Sequence, residues 1–192
     1  MDDIIEKELT LLYRELYFAK HQYYIFDRLY KDLLNTDTND NLYYVKISTF
    51  DALEYSILLK LTKVYDKDNQ SVTLYNILSK IQSNPAINKK DKTITEFCEN
   101  KLETLSQNNS ISTLKYYRDK NISHLDKHHL DGLKNMGKEN IFKYEEIIKL
   151  IDFAFDTINE LFHLFNINIS DNKCFELLSL ELDSLDKIIP NN

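Results

Sequence analysis

The chain has 192 residues with only 2 Gly and 2 Pro, and its net charge is −7. That length supports one domain with a full core, while so few glycines exclude an antiparallel sheet with several tight turns, which draw on Gly to reach positive φ without strain. The acidic balance excludes a molecule-wide attraction to nucleic acid. The expected fold class is all-α, an antiparallel helical bundle with two long N-terminal helices and additional shorter helices, forming a single domain over 1–192.

In chain order, residues 2–34 place Ile5, Leu9, Leu12, Leu16, Ala19, Tyr23, Phe26, Tyr30 and Leu33 at spacings of three and four, a helical stripe. The run Asn35 to Asn41 offers competing side-chain acceptors and breaks it. A second helix over about 42–65 continues through Val45, Ile47, Phe50, Leu53, Ile57, Leu61 and Val64. The aromatic content of both long helices suggests more than one buried face. Ser71 is the expected N-cap of a short third helix to Lys80 or Ser83, and Asn84-Pro85 ends that segment. A fourth helix over 91–106 begins at Asp91. The polar run Gln107 to Ser110 separates it from a helix over about 111–125, and Gly132 and Gly137 bracket the loop beyond. Strongly apolar residues 143–166 form the next helix, and 171–188 the last.

Cys98 and Cys174 lie far apart with no CxxC spacing and read as ordinary thiols in a reducing compartment. The acidic start MDDIIEKEL lacks the plan of a signal peptide, and no apolar run approaches the ~18–20 residues of a membrane span. The expected location is the cytoplasm, with no membrane partner.

Charge is unevenly placed. Between Lys115 and Lys143 seven Lys or Arg face four acids, a local net of +3 on a body of −10. A basic patch on an acidic molecule suits a polyanion at one place. Within it the sequence reads Leu114-Lys-Tyr-Tyr-Arg118-Asp-Lys-Asn-Ile-Ser-His124-Leu-Asp-Lys-His-His129. Leu114, Tyr117, Ile122 and Leu125 can pack on the bundle, leaving Arg118, Asp119, Lys120, Asn121 and His124 on the remaining surface. On an ideal helix Arg118 and His124 would be about 9 Å apart along the axis and about 120° apart around it. A two-fold helix pair would bring two Arg and two His together. His124 and His128 are spaced as a metal pair, but no third ligand stands at a standard spacing, so no metal and no cofactor is expected.

The segment Arg118-Asp-Lys-Asn-Ile-Ser-His124-Leu-Asp126 resembles the Arg-polar-…-His signature of the HEPN superfamily, and in particular its abortive-infection branch, associated with phage resistance. The stretches Leu58 to Asp66 and Leu74 to Leu78 also resemble that branch, with Lys63 where an Arg is usual. Asp126 stands where the related HepT-type toxins carry a Tyr, which separates the chain from that group. The likeness covers roughly residues 5–165.

What the resemblance implies is a metal-independent endoribonuclease acting on RNA as a homodimer, with both motifs lining one cleft, in a toxin or phage-defence role. Arg118 and His124 would be catalytic and Asp119 would orient one of them. Lys120 and Asn121 would touch the RNA backbone, and Lys115, Lys127 and His128 would extend the phosphate track. His titrates near neutrality and can move the 2′-hydroxyl proton, while Arg stays charged and grips phosphate oxygens bidentately. An antitoxin or other regulatory protein is a possible further partner. The alternative is a HEPN fold that binds RNA or a partner protein without cutting.

Overall fold

The N-terminal stripe produces one long helix, α1 (Asp3–Asn35), which buries Ile5, Leu9, Leu12, Leu16, Ala19 and Phe26. The structure is a computed structural model, and it describes residues 3–35, 39, 41–117 and 144–167. Within these residues α1 is followed by α2 (Tyr43–Val64), α3 (Leu74–Gln82), α4 (Pro85–Lys90), α5 (Lys92–Gln107), α6 (Asn109–Tyr117) and α7 (Tyr144–Leu164). There is no strand among the described residues.

Contacts between the long helices fix their directions. Lys46 pairs with Asp32 at 3.0 Å, Ser56 donates to Gln22 at 3.1 Å, and Lys60 reaches Glu15 at 3.4 Å. As α2 advances α1 recedes, so the two run antiparallel. Likewise Tyr144 meets Phe26, Lys20 pairs with Asp152 at 2.8 Å, and Tyr13 lies against Phe155 and Phe162. Helix α7 is therefore also antiparallel to α1. Half-exposed ion pairs of this kind contribute up to about 1 kcal/mol each; they report register. The stabilising term is the apolar seam between α1, α2, α3 and α7, where Leu9, Leu16, Ile57, Leu61, Ile77 and Ile151 are sealed from solvent. Each such side chain contributes roughly 1.5–3 kcal/mol on burial.

Phe26 stacks on Phe50 with ring centroids 4.5 Å apart, and Tyr144 meets Phe26 edge-on at 5.0 Å. This aromatic cluster closes the end of the bundle where α1 finishes and α2 and α7 begin. Helices α3, α4 and α5 form a smaller layer, with α3 against α1 and α5, and α5 reaching α7.

Several boundaries differ from the sequence expectation, each for a local reason. Helix α3 starts at Leu74 with Thr73 as its N-cap, whose hydroxyl accepts from the Asn76 amide at 3.1 Å. Ser71 instead donates to the Asp68 carboxylate at 3.0 Å. Asn84-Pro85 ends α3 as expected but also starts α4, with Asn84 as N-cap and Pro85 at a position where its missing N–H costs nothing. Asp91 does cap α5. The polar run Gln107 to Ser110 proves to be helical except for Asn108, so α6 begins two residues early. Val45, expected on the inner stripe of α2, is 60% exposed. The helix expected to continue to about 125 is described only to Tyr117, and the helix expected over 171–188 lies outside the described residues.

Candidate functional site at the end of the second helix

Asn108 is the corner that sets up the site. Its extended backbone, with φ −81° and ψ 107°, terminates α5. Its side-chain oxygen accepts from the Ser110 amide at 2.9 Å, which satisfies one of the orphan donors at the start of α6. The chain therefore turns within one residue, and α6 is laid across α2 and α7. Two contacts fasten it: Leu114 is buried, and the Ser110 hydroxyl donates to Glu146 of α7 at 2.6 Å.

Opposite α6, α2 ends at Tyr65. This side chain is buried and its hydroxyl donates to the Leu150 carbonyl of α7, locking α2 to α7. Burial pushes the phenol well above its ordinary range, so it stays protonated and serves as a structural donor. The following loop is ordered by its own side chains. The Asp66 carboxylate accepts from the amides of Lys67 and Asp68 at 2.7 and 3.3 Å, and Asn76 donates to the carbonyls of Asp68 and Ser71 at 2.6 and 2.8 Å.

Between this loop and the α5–α6 corner lies a cleft of about 200 Å³. Its floor is apolar, from Tyr65, Leu105, Ile111 and Leu114. Ser106, Asn108 and Ser112 bring polar groups to it, and Asp66, Lys67 and Lys115 add charge. The Lys67 ammonium sits 5.1 Å from the centre of the Tyr75 ring, a cation–π contact that steadies it.

Among the residues singled out in the sequence, Lys115 is therefore exposed at the edge of this cleft. The stretch Leu58 to Asp66 supplies the opposite wall through Thr62, Tyr65 and Asp66. The stretch Leu74 to Leu78 does not line the cleft; Leu74, Ile77 and Leu78 are buried in the core. Lys63 is exposed, one residue and so about 100° around α2 from Thr62, and it does not line the cleft. Arg118, Asp119, Lys120, Asn121, His124, Lys127 and His128 lie outside the described residues, as does Cys174. In sequence Arg118 follows directly on Tyr117, the last described residue of α6.

Asp66, Lys67, Asn108 and Ser112 were not anticipated from sequence. A partial signal existed, since Asp66 closes one of the stretches that carry the family likeness. Cys98 is buried, and its thiol is pushed up to about 12 by burial, which removes it as a nucleophile at neutral pH. Among the described residues no group of three His, Cys, Asp or Glu is placed to hold a metal, and no helix is long and apolar enough to cross a membrane.

The HEPN family model described as AbiU2 fits residues 2–179, which is most of the chain. No curated protein and no solved structure matches.

Proposed function

Because the chain belongs to the AbiU2 family of HEPN proteins, associated with abortive infection, we propose that it is a metal-independent endoribonuclease whose chemistry is carried by Arg118 and His124. The observation that supports this reading most is that one of the stretches that carry the likeness, Leu58 to Asp66, lines a cleft together with α6, the helix that precedes Arg118 in sequence. The end of α2, from Leu58 to Asp66, faces the helix that delivers the chain into Arg118. Lys115, three residues before Arg118, already stands there as a cation for phosphate.

The reaction proposed needs no external redox partner or metal. His124 removes the proton of a ribose 2′-hydroxyl, and that oxygen attacks the neighbouring phosphorus. The bond from phosphorus to the 5′-oxygen breaks, the leaving oxygen takes up a proton from water, and His124 returns to solvent the proton it removed. The product is a 2′,3′-cyclic phosphate with a free 5′-hydroxyl. Arg118 holds the phosphate oxygens as charge builds on them. Asp119 orients Arg118 or His124, while Lys120, Asn121, Lys127 and His128 contact the RNA backbone. A homodimer pairing two such segments would supply two Arg and two His to one cleft. The cellular role proposed is growth arrest in response to phage, held in check by a regulatory protein.

The test is product chemistry. Uniformly labelled RNA incubated with the protein in excess EDTA should yield fragments ending in 2′,3′-cyclic phosphate. Fragments with 3′-hydroxyl and 5′-phosphate ends, or cleavage seen only with added divalent metal, would contradict the mechanism.

A further inference from the structure

The cleft between the end of α2 and the α5–α6 corner is more than a track for phosphate. We propose that it is a specificity subsite that accepts one unstacked nucleobase of the RNA, with the phosphate of that nucleotide held by Lys67 and Lys115. The proposal rests on the nuclease reading for its biological sense, and its chemistry stands on described residues alone.

Size is the first argument. At about 200 Å³ the cleft is smaller than the ~300–1,000 Å³ of sites that engulf a drug-sized ligand. It suits a single ring system. The floor is the second. A site for phosphate alone needs donors and positive charge, yet the base of this cleft is hydrocarbon and aromatic, from Tyr65, Leu105, Ile111 and Leu114. A flat, weakly polar ring gains most there by displacing water. The edge is the third. The Asn108 side-chain oxygen is engaged by the Ser110 amide, so its NH2 group remains as a donor. The Ser106 hydroxyl donates to the Glu103 carbonyl at 2.7 Å, so its oxygen remains as an acceptor. A base edge carries complementary groups, and single-stranded RNA is commonly read by splaying bases into such pockets.

Charge is the fourth argument. Lys20, Lys31, Lys46, Lys60, Lys80 and Lys149 each pair with a carboxylate. Lys67 and Lys115, on the cleft, have no carboxylate partner within salt-bridge distance among the described residues. The cleft also carries one carboxylate, Asp66, whose Oδ1 accepts from the Lys67 and Asp68 amides, and the two lysines outweigh it, so the balance of charge favours an anion attached to whatever fills the cleft.

The deciding experiment titrates isotope-labelled wild-type protein with each of the four ribonucleoside 3′-monophosphates, and separately with inorganic phosphate and with the four nucleosides. Amide shifts are followed by NMR. The expected result is saturable shifts centred on Ser106, Asn108 and Ser112, with at least one nucleotide binding about tenfold more tightly than either phosphate or its own nucleoside. Nucleotide shifts no stronger than those of phosphate would reduce the cleft to an anion site, and shifts centred elsewhere would remove it altogether; either overturns the proposal. A Ser112→Phe variant, with folding confirmed by circular dichroism, should lose the nucleotide shifts by filling the cleft from an exposed helical position; unchanged binding counts against the site. The two readings fail separately. RNA cleavage without nucleotide shifts at the cleft sinks only the subsite, and nucleotide shifts without any RNA cleavage sink only the nuclease.

Discussion

Over Ile57–Tyr65, α2 is sealed against its neighbours, with Ile57, Leu58, Leu61, Val64 and Tyr65 all buried. Over Tyr43–Tyr55 the same helix carries apolar side chains into solvent, with Tyr44 78%, Val45 60% and Tyr55 44% exposed. The second half forms a wall of the cleft; the first half leads away from it. The difference shows where rigidity has been placed. The cleft is built on the part of α2 that is pinned by α1, α6 and α7, so the groups around it are held in place before any ligand arrives. The outer half is covered along one side only, where Phe50 stacks on Phe26; Tyr44, Val45 and Tyr55 lack such cover, so substitutions at those three positions meet little packing.

The comparison can be broken most forcefully at Leu61, which is fully buried in the sealed half. Leu61→Ala should cost about 2–5 kcal/mol in urea unfolding, because it leaves a cavity in a core that relaxes only partly. A cost near zero would mean that this half is no better packed than the other. Next is Tyr65→Phe, which keeps the ring and removes only the hydrogen bond to Leu150. It should lower stability by about 1–2 kcal/mol and loosen α2 against α7, visible as faster amide exchange around Leu150. Thr73→Ala removes the N-cap of α3 and should cost ~1 kcal/mol. The smallest effect belongs to the outer half, where Tyr44→Ser should change stability by no more than about 0.5 kcal/mol.

The core of this fold was readable because burial leaves a periodic trace. Six of the nine residues in the predicted α1 stripe are fully buried, and the exceptions, Tyr23, Tyr30 and Leu33, lie toward its C-terminal end. Helix ends were less readable because several neighbouring polar residues could serve as caps. Ser71 and Thr73 are both good caps in isolation. The choice falls on Thr73 because Leu74 must enter the core, and Asp68 then takes the Ser71 hydroxyl. Asn108 was hidden for a related reason. Four consecutive polar residues looked like a linker, but one suffices for the turn, and Ser110 spends its hydroxyl on Glu146. The cleft was hardest to foresee, since its walls, Thr62 to Lys67 and Leu105 to Lys115, are far apart in sequence and meet only through packing. Lys115 was singled out for its nearness to Arg118; Lys67 had no such marker. Arg118 and His124 were legible only as a pattern, and their roles rest on that pattern and on the family.

The most direct test of the central claim compares cleavage of end-labelled RNA in EDTA by the wild type and by Arg118→Ala and His124→Ala, with melting temperatures measured alongside. The account predicts that each substitution lowers the single-turnover rate by about 10²–10⁴-fold, the range expected for losing a positioned acid–base group, while the melting temperature stays within about 2 °C of the wild type. Cleavage at the wild-type rate by both variants would contradict it.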